Sequence, residues 1–348
     1  MKDKKLLVIG GGKSIHTFNL ILLIKDYFSD VLLITDFVND DYADIKQVKA
    51  EFSFSNPLNL IRLTIKIRKT IKAYRPDFII LNQVDTASFC ALLANNSIPN
   101  LVVALGSDVL LTPNKGKLYM FLTKYILRNG NYFTTGARYA AKVMNELAGK
   151  DLDVLVANTG FEPEVFPSEK QNIVYSNRLH KPLYRIPSIV EAFSRFTENP
   201  ERKDWKLVIG ATGDEDNLRN IARRLNIEDK VEFIGWVDKE INNHYYCISK
   251  IWVSIPESDN TPISLMEAMA AGCIPVMSDL IANKEWVEDG VNGVIASDLD
   301  TNYIERALDL DYNKLVEFNT SLMQREGTKD ANRKKFYSIF DKEFNNEL

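Results

Sequence analysis

Two carboxylates separated by seven residues flank the stretch of this chain whose chemistry is clearest. Asp259 lies in a polar loop, and Glu267 follows it within a segment rich in Leu, Met and Ala, a composition typical of a helix. A carboxylate at Glu267 could accept hydrogen bonds from the vicinal hydroxyls of a ribose, and Asp259 could accept them from a second sugar. The first backbone N–H groups of the helix could bind a diphosphate between them. These groups together predict a site for a nucleoside diphosphate sugar.

The elements that position these carboxylates are a strand, a loop, a helix and a second strand. Apolar residues from 250 to 255 predict a buried strand. Pro262 suits the first turn of a helix, because its missing N–H would have no intrahelical partner there. The predicted helix spans Ile263–Ala271, and residues 274–277 predict the second strand. The amides of residues 261–265 then lie at the helix N-terminus, where an anion is favoured.

The same segment resembles the acidic–seven–acidic motif of family 4 glycosyltransferases, which are retaining enzymes of the GT-B fold. The family pattern Glu-Ala-Met-Ala-x-Gly-x-x-Pro-Val is matched closely from Glu267 to Val276. Asp259 stands where the family usually has Glu. The loop after it is Asn-Thr-Pro instead of Gly-aromatic-Gly, as in a subset with a Ser-Asp-x-Thr-Pro loop. The alternative interpretation is an ordinary strand–loop–helix unit with an acid at each end.

The resemblance implies an α/β protein of the GT-B fold, with two Rossmann-like doubly wound domains that face each other across a cleft. A length of 348 residues also suggests two domains. Predicted strands in the first half alternate with helices, which is the order of a parallel sheet; they span 5–9, 31–35, 78–81 and 101–105. We expect an acceptor-binding domain at 1–160, a nucleotide-sugar-binding domain at 161–325, and a helix at 326–348 that packs back on the first domain. The linker is expected around residues 158–167.

A glycine turn, Gly10-Gly11-Gly12-Lys13-Ser14, follows the first predicted strand. A P-loop would need glycine at Leu7, and a dinucleotide-binding turn would need glycine or alanine at Ile15. What remains is a tight turn that lets backbone approach a ligand closely. In the family the corresponding turn lies across the cleft from the donor diphosphate, which makes Gly11 and Gly12 donor-binding candidates. His16, in the next helical turn, is either a site residue or an exposed surface residue.

A second polar turn, Gly106-Ser107-Asp108, follows another predicted strand. It is similar to a turn in family members, many of which carry a histidine directly before the glycine. Leu105 occupies that position here and has no polar group for the contact that the histidine makes to the donor sugar. Asp108 is a candidate partner for an acceptor hydroxyl, and the alternative is that it caps the turn.

Arg178 matches the family's donor-phosphate arginine, and a cation there would stabilise a diphosphate leaving group. The family's partner lysine falls on Tyr184, so either Lys181 or Arg185 supplies a second cation or the site works with one. In the family, backbone near the glycine of Ile234-Gly235-Trp236 contacts the base. The catalytic candidates are therefore Arg178, Asp259, Asp108 and His16. The donor-binding candidates are Gly11, Gly12, Arg178, Lys181, Arg185, Gly235, Trp236, Asp259, Asn260, Thr261, Pro262, Ile263 and Glu267.

Charge is distributed unevenly along the chain. Residues 1–150 hold 20 Lys/Arg and 12 Asp/Glu, whereas the remainder holds 23 and 35. Two basic segments without acids, Leu58–Arg75 and Val109–Asn145, interleave these cations with apolar residues and predict two basic amphipathic helices. Such helices are either the solvated faces of ordinary core helices or docking surfaces for an anionic membrane. Nucleic acid is not expected, because the pI is about 5.6 and no nucleic-acid-binding motif is present.

Neither a metal nor a cofactor is expected, the nucleotide sugar being a substrate. Three Asp-x-Asp triplets, at 151–153, 214–216 and 298–300, lie in predicted loops, and the metal-binding triplet belongs to a different glycosyltransferase fold. The three cysteines include no Cys-x-x-Cys pair. The chain has no apolar run of about 20 residues, and Met1–Lys5 leads directly into the first predicted strand, so no signal peptide is expected. We therefore expect a cytoplasmic protein, either free or peripheral on the inner face of the cell membrane.

Three functions fit these patterns. The first is a retaining glycosyltransferase that moves a sugar from a nucleotide diphosphate sugar, with UDP-sugar favoured, to a glycan. A lipid-linked acceptor in cell-surface polysaccharide or glycoconjugate synthesis fits the basic first half best. The second is a nucleotide-sugar epimerase or hydrolase of the same fold. The third is a non-catalytic nucleotide-sugar-binding module, motivated by the departures at Asp259, Tyr184 and Leu105.

Overall fold

The computed structural model describes residues 3–42, 44–52, 57–95, 97–162 and 168–345. The chain divides into two compact units. Unit 1 comprises residues 1–159 and 332–348, and unit 2 comprises residues 160–331; the predicted boundaries follow residues 160 and 325. Part of the predicted linker, residues 163–167, lies outside the described residues. Among the helices of the described ranges, none combines the length and apolarity needed to cross a bilayer.

Unit 1 is built around a parallel sheet. Its strands are β1 (Lys5–Ile9), β2 (Asp30–Thr35), β3 (Lys46–Lys49), β4 (Phe78–Asn82), β5 (Asn100–Ala104), β6 (Tyr132–Thr135) and β7 (Leu155–Val156). The spatial order is β3-β2-β1-β4-β5-β6-β7. Central strands such as β4 and β5 are buried along their whole length, because helices cover both faces of a parallel sheet. The order reverses between β1 and β4, and such a switch point is where ligands bind in open α/β sheets.

The helices of unit 1 alternate with these strands and present apolar stripes to the sheet. They are α1 (Ile15–Ile24), α2 (Pro57–Tyr74), α3 (Thr86–Ala94), α4 (Ser107–Leu110), α5 (Lys117–Asn129) and α6 (Arg138–Ala148). In α1 the buried residues include Leu20 and Leu23. Ser14 caps this helix by accepting the backbone N–H of Thr17, which satisfies one of the orphan donors of the first turn.

Unit 2 repeats this architecture with a smaller parallel sheet. Its strands are β8 (Gln171–Ser176), β9 (Lys206–Gly210), β10 (Val231–Gly235), β11 (Ser249–Ser254), β12 (Ile274–Ser278) and β13 (Val294–Ala296). The order is β10-β9-β8-β11-β12-β13, so its switch point lies between β8 and β11. The helices are α7 (Ile186–Thr197), α8 (Glu215–Arg224), α9 (Lys239–Ile248), α10 (Ile263–Ala270), α11 (Tyr312–Glu326) and α12 (Lys329–Asn345). The predicted α/β class with two doubly wound sheets is confirmed.

The last helix, α12, begins in unit 2, and from Asn332 onward it belongs to unit 1. There Phe336 and Phe340 are buried in the unit 1 core. The Phe340 ring packs edge-on against Phe28 and Phe78, with ring centroids 5.0 and 5.3 Å apart. Edge-to-face aromatic pairs of this kind stabilise a core beyond their buried area. The C-terminal helix is therefore part of the hydrophobic core of unit 1.

The interpretation of Val109–Asn145 as one basic amphipathic helix is wrong. The segment contains the end of α4, the whole of α5, the strand β6 and most of α6. Residues Phe133–Thr135 of β6 are buried, whereas the lysines and arginines lie on the flanking helices. Tyr-Phe-Thr-Thr is a strong strand sequence, and the basic residues on both sides concealed it. Leu58–Arg75 does form one helix, α2.

Candidate functional site

The carboxyl ends of β8 and β11 lie side by side at the switch point of unit 2. β8 leads into Asn177 and Arg178, and β11 leads into the loop of residues 256–262. The topology thus brings an arginine that follows one strand to an acidic loop that follows the other. This is the position at which open α/β sheets bind their ligands.

Arg178 is held by two partners at the start of α10. Its Nη2 lies 2.6 Å from Asp259 Oδ2, and its Nη1 donates to Ser264 Oγ at 3.1 Å. Asp259 Oδ1 accepts the backbone N–H of Asn260 at 2.9 Å. The arginine and aspartate side chains are 14% and 19% exposed, so the charge-assisted contact is only partly screened by water. A guanidinium beside a helix N-terminus forms a site at which both groups attract an anion.

The residue at the family's lysine position packs on this arginine. The Tyr184 ring centroid lies 4.5 Å from Arg178 Cζ, which is a cation–π contact. Tyr184 closes a short 3₁₀ turn, Pro182–Tyr184. The Leu183 carbonyl in that turn accepts the backbone N–H of Glu257 at 2.9 Å. Tyr184, which stands where the family has lysine, therefore packs its ring against the Arg178 guanidinium and helps to orient it.

Lys181 and Arg185, the two predicted substitutes for the lysine, lie on either side of this turn. Lys181 is exposed. Arg185 has a left-handed backbone (φ 51°), and its Nε lies 3.4 Å from Glu257 Oε1. An ion pair of this length at the surface contributes little, so it leaves Arg185 able to change partners. Either residue stays a predicted second cation.

The loop before α10 is fixed by Trp286. Its indole Nε1 donates to Thr261 Oγ1 at 3.0 Å, and both Thr261 and Pro262 are buried. Pro262 is the N-cap residue and makes no side-chain capping bond. The backbone N–H of Ile263, the first helical residue, has no acceptor within the helix. The loop thus presents amide donors from a rigid frame.

Glu267 lies on the second turn of α10. Burial raises the pKa of this carboxyl group from 4.5 to about 7. The Tyr246 hydroxyl and the charges of Lys239 and Lys329 act in the opposite direction. A carboxylate with a raised pKa that lies near a ligand-binding edge is typical of a functional site. Glu267 is therefore poised between its charged and neutral forms near neutral pH.

A network of buried and half-buried polar side chains joins β8, β11 and α9. Trp252 Nε1 donates to Asn177 Oδ1 at 3.0 Å, and Asn177 Nδ2 donates to Tyr246 Oη at 2.7 Å. Asn242 Oδ1 accepts from Asn177 Nδ2 at 3.0 Å and from Tyr175 Oη at 2.7 Å. None of these residues is among the predicted site residues. The available signals were weak: Asn242 and Tyr246 are four apart on α9, and Asn177 directly precedes Arg178.

Gly235 and Trp236 form an open edge at the end of β10. Gly235 has a left-handed backbone (φ 67°), and a Cβ added there would have nothing within 4 Å. Its carbonyl accepts the N–H of Ala211 at 2.7 Å. The Trp236 side chain is 71% exposed. A large, exposed aromatic surface beside an open glycine is suited to contact with a planar base.

The glycine turn of unit 1 is used largely for its own packing. The Gly12 N–H donates to Asp36 Oδ1 at 3.1 Å, and a Cβ at Gly12 would overlap the Phe37 carbonyl. A Cβ at Gly11 would meet only ordinary van der Waals contacts. His16 is exposed in the first turn of α1. Donor binding by this turn stays a prediction.

Asp108 is buried, with 1% exposure, and it accepts three backbone N–H groups. They belong to Val84, Leu105 and Gly106, at 2.8, 3.1 and 2.8 Å. Burial raises the pKa of Asp108, and these bonds lower it. Burial also raises the pKa of nearby Asp85 to about 6. Asp108 thus ties together the loops that follow β4 and β5, and its contact to an acceptor hydroxyl stays a prediction.

An open cavity of about 680 Å³ lies in unit 1 at the carboxyl ends of β2 and β3. Its walls include Asp36, Lys49, Glu51, Phe52 and Lys66. The lining thus combines two cations, two acids and one aromatic ring. Charged and aromatic groups of these types bind the hydroxyls, phosphates and ring faces of sugars.

Within the described ranges, no group of three or more His, Cys, Asp or Glu is placed to hold a metal ion. All three acidic triplets serve backbone turns, and in the first of them Asp151 Oδ1 accepts the N–H of Asp153 at 3.2 Å. Asp214 caps α8 by accepting the N–H of Asn217, and Asp298 accepts that of Asp300 at 2.9 Å. Metal independence stays a prediction.

Two family models match the chain. The model described as Glycosyl transferases group 1 matches residues 157–312. The model described as Glycosyl transferase 4-like matches residues 5–137. The first match lies in the strands and helices of unit 2, apart from its first three residues, and the second lies in unit 1. Together they cover most of the chain.

Curated relatives include an uncharacterized glycosyltransferase of Haemophilus influenzae, 31% identical over 115 residues. That alignment covers 31% of this chain and 30% of the relative. A GDP-Man:Man(3)GlcNAc(2)-PP-Dol alpha-1,2-mannosyltransferase of Dictyostelium discoideum is 29% identical over 30% of this chain and 21% of its own length. The chain therefore spans less than a third of these two relatives. The lipopolysaccharide 1,6-galactosyltransferase of Escherichia coli is 23% identical over 72% of this chain and 70% of its own length.

Solved structures share the fold over nearly the whole chain. Anabaena HepE in complex with UDP has a TM-score of 0.82 and 14% identity, covering 97% of this chain and 100% of its own. A glycosyltransferase from Rickettsia africae has a TM-score of 0.79 and 15% identity, covering 98% and 99%. At these identities the likeness concerns the fold. A glycosyltransferase family model is thus matched in each unit, and the chain has the two-sheet GT-B fold of these structures.

Proposed function

We propose that the protein is a retaining, metal-independent glycosyltransferase that uses a nucleotide diphosphate sugar as its donor. The observation that carries the proposal is the placement of Arg178 with Asp259 and Ser264 at the N-terminus of α10, on the helix that bears Glu267. The arrangement combines a cation, a set of backbone amides and two carboxylates at the switch point of unit 2. These are the groups that a diphosphate and two sugar rings require.

The donor fits along one face of α10. Ser264 and Glu267 are three residues apart, so they share a face of the helix. A diphosphate bound by Arg178 and the first amides would lie near Ser264. The ribose would then follow one helical turn further on, at about 5 Å along the axis, where Glu267 can accept its two hydroxyls. The base would reach Gly235 and Trp236 at the end of β10.

Donor binding would exchange the partners of Arg178. Phosphate oxygens offer the guanidinium the same bidentate geometry as a carboxylate. Asp259 would then leave Arg178 and accept hydroxyls of the transferred sugar. The ion pair at 2.6 Å thus holds the arginine in place until the diphosphate arrives.

The proposed reaction breaks the bond between the anomeric carbon and the β-phosphate oxygen. The acceptor oxygen forms its new bond on the face that the diphosphate leaves, which retains the anomeric configuration. The acceptor proton passes to the departing phosphate oxygen. Arg178 and the helix N-terminus stabilise the developing negative charge, the role that a metal ion has in other sites.

UDP is the nucleotide that we favour. Support comes from Anabaena HepE, whose solved complexes contain UDP and UDP-glucose. The exposed Trp236 and the open backbone of Gly235 suit a flat base and do not by themselves select uracil.

We assign the acceptor to unit 1, and the open cavity beside Lys49 and Lys66 supports a glycan that carries phosphate. It lies at the carboxyl edge of the sheet, where such sheets bind ligands. His16, exposed in the first turn of α1, is at the same edge. A lipid-linked diphosphate glycan matches the net positive charge of residues 1–150, and such an acceptor would imply a role in cell-surface polysaccharide or glycoconjugate synthesis.

An anionic membrane surface is the proposed setting for this acceptor. Helix α2 exposes Arg62, Lys66, Lys69 and Lys72 together with apolar side chains. Adjacent helices α3 and α5 extend the apolar area. The exposed apolar residues of the three helices are Leu58, Ile61, Ile65, Leu93, Leu118, Tyr119 and Phe121. Cations next to exposed apolar side chains suit lipid headgroups and the acyl boundary beneath them, at about 1 kcal/mol per cation.

Sedimentation with liposomes tests the membrane proposal. The protein is expected to pellet with anionic vesicles, to be released by high salt, and to lose binding when Arg62, Lys66, Lys69 and Lys72 are changed to Ser. A matched control changes four exposed cations of unit 2, Lys203, Lys206, Arg223 and Arg224, to Ser. Equal loss in both variants, or equal binding to neutral vesicles, would favour a soluble acceptor.

Mass spectrometry of the purified protein with a panel of nucleotide sugars and a cell lipid extract tests the reaction itself. Transfer is expected to depend on both donor and extract, and to be lost in Glu267→Ala. Conversion of the sugar without an extract would favour an epimerase, and its release to water would favour a hydrolase. Nucleotide binding without turnover on any acceptor would favour a non-catalytic module.

A further inference from the structure

The turn that follows β4 has a backbone conformation that glycine adopts far more readily than glutamine. Gln83, directly after β4, has a φ of 113°, in a region that residues with a Cβ rarely occupy. The turn after the neighbouring strand β5 has the same φ of 113° at Gly106, where no Cβ is present. The chain therefore uses glycine in one of these turns and keeps a strained glutamine in the other.

Hydrogen bonds fix the strained residue from both sides. The backbone N–H of Gln83 donates to the Val103 carbonyl at 3.0 Å, and its carbonyl accepts the hydroxyl of Ser88 at 2.5 Å. The next backbone N–H, of Val84, donates to Asp108 Oδ2 at 2.8 Å. A sparsely populated conformation costs stability and persists only where the surrounding structure determines it. These three bonds hold the strained conformation in place.

Gln83 lies at the switch point of the unit 1 sheet. β4 pairs with β1 on one side and with β5 on the other, and the strand order reverses between β1 and β4. The preceding residue, Asn82, is buried, and its Nδ2 donates to Thr17 Oγ1 of α1 at 2.7 Å. The start of the turn is thus anchored at the edge where open α/β sheets bind their ligands.

The side chain of Gln83 has its hydrogen-bonding groups available. It is half-buried, and it makes no hydrogen bond to another residue within the part of the chain that the structure describes. A side-chain amide offers one acceptor oxygen and two N–H donors, which match sugar hydroxyls because these both donate and accept. Glycine at this position would remove the strain and the amide together.

We propose that Gln83 binds hydroxyl groups of the acceptor glycan, and that Ser88 and Asp108 hold its strained backbone so that the amide is presented at the switch point of unit 1. The inference rests on the proposed function in one respect, since it takes unit 1 as the acceptor side. It goes further by naming a residue that selects the acceptor and the bonds that position it.

The experiment compares Gln83→Gly and Gln83→Ala with the wild type. The glycine variant removes the amide and the strain, whereas the alanine variant removes the amide and keeps the Cβ. We expect the melting temperature of Gln83→Gly to rise by about 2–4 °C and that of Gln83→Ala to stay near the wild-type value.

Both variants should lose affinity for the acceptor alone. Half-maximal transfer from a panel of nucleotide sugars should require about tenfold more cell lipid extract, because the hydrogen bonds to the acceptor hydroxyls are lost. The dissociation constant of UDP, measured by calorimetry, should stay within about twofold of the wild-type value.

A second measurement needs no donor. Protein labelled with ¹⁵N in its glutamine side chains gives one pair of amide signals for each glutamine, and the Gln83 signals are identified by their loss in Gln83→Ala. Addition of the lipid extract in detergent, without nucleotide, should shift the Gln83 signals. Those of Gln171, at the amino end of β8 in unit 2, should stay in place.

Asp153→Gly is the matched control. Asp153 also has a left-handed backbone, with a φ of 49°, but it precedes β7 and so lies at the amino edge of the unit 1 sheet. This variant should leave unchanged both the amount of extract needed for half-maximal transfer and the shift of the Gln83 signals.

The outcomes separate the inference from the proposed function. A shift of the Gln83 signals without transfer from any nucleotide sugar supports the inference and overturns the proposed function. Transfer with the same dependence on extract in the wild type and in both Gln83 variants overturns the inference and leaves the proposed function standing. A Gln83→Gly variant that is less stable than the wild type also overturns the inference, because no strain is then being held. An equal change of extract dependence in Asp153→Gly overturns it as well.

Discussion

Units 1 and 2 share a parallel sheet with helices on both faces, and each has acids at the carboxyl ends of its strands. In unit 1, Asp108 accepts three backbone N–H groups from two neighbouring loops. In unit 2, the acids have side-chain partners. Asp259 pairs with Arg178 at 2.6 Å, and the Tyr246 hydroxyl and the charges of Lys239 and Lys329 lower the pKa of Glu267 against the effect of its burial.

This difference separates a carboxylate that orders loops from carboxylates that can bind a ligand. Backbone N–H groups cannot leave Asp108 without moving the chain, and three of them use most of its acceptor sites. An arginine or a tyrosine can exchange or share its hydrogen bonds when a ligand arrives, at little cost to the backbone. Burial raises the pKa of both Asp108 and Glu267, so the partners, and not the pKa, distinguish the two.

The largest expected effect is on transfer in Arg178→Ala. Loss of the guanidinium removes the charge that faces the leaving diphosphate, and turnover should fall by about 10²–10³-fold. The control is Arg306→Ala in the same unit, which breaks an exposed pair with Asp289 at 2.7 Å and should leave turnover within about twofold. Initial rates at saturating donor measure both. Equal turnover in Arg178→Ala and the wild type would show that Arg178 does not stabilise the leaving diphosphate.

A smaller effect, on stability, is expected for Asp108→Asn. The amide turns one N–H₂ group toward backbone donors, and an unsatisfied buried group costs about 1–3 kcal/mol. The melting temperature of unit 1 should fall by several degrees, with turnover per folded molecule little changed. Calorimetry and rate measurements at 25 °C check this. Lost turnover with an unchanged melting temperature would instead assign Asp108 to the acceptor.

Much of the fold could be predicted because strong local signals mark the element ends. The strand predicted at 250–255 is observed at Ser249–Ser254, and the helix predicted at Ile263–Ala271 ends at Ala270. Runs of apolar β-branched residues indicate the strands, and Pro and Gly residues mark where strands and helices end. β3 lacks such a signal, because its sequence is Lys-Gln-Val-Lys and none of its residues is buried. It is a strand because it pairs with β2.

The candidate site could be predicted only where a motif names its residues. Arg178, Asp259 and Glu267 follow from the motif, and the structure brings the first two into contact. The contacts of Tyr184 with Arg178 and of Tyr246 with Asn177 join residues that no local pattern links. The second pair is 69 positions apart in the chain, and strand order alone brings its members together. Such contacts depend on tertiary packing.

Opposite pH dependences of stability should distinguish Glu267 from Asp289. Since folding raises the pKa of Glu267 from 4.5 to about 7, the folded state binds more protons in this window, and stability falls as pH rises through it. Glu267→Gln should therefore be more stable than the wild type at pH 8 and similar to it at pH 4.

Folding lowers the pKa of Asp289. At pH values above its unfolded-state pKa, Asp289 therefore stabilises the folded state, and this stability is lost as pH falls. Asp289→Asn should be less stable than the wild type at pH 8.

Urea unfolding of unit 2 at pH 4, 6 and 8 measures these differences. Gln and Asn keep the shape of the side chains, so the comparison isolates the charge. The same sign for both variants at pH 8 would mean that the two carboxylates do not differ in the way their partners indicate.

The smallest expected effect, and the sharpest localisation of the nucleotide, concerns Trp236. All four tryptophans of the chain, at positions 205, 236, 252 and 286, lie in unit 2, so their fluorescence reports on that unit alone. Trp205 and Trp252 are buried, whereas Trp236 is 71% exposed beside the open Gly235. Stacking of a base on its indole would quench this emission and contribute about 0.5–1.5 kcal/mol to binding.

We therefore expect UDP to quench the tryptophan fluorescence of the wild type. Trp236→Leu should lose most of the quenching and raise the donor KM about two- to tenfold with kcat unchanged, because the base lies away from the breaking bond. Quenching that persists in Trp236→Leu would place the base elsewhere and would weaken the assignment of the nucleotide to this edge of unit 2.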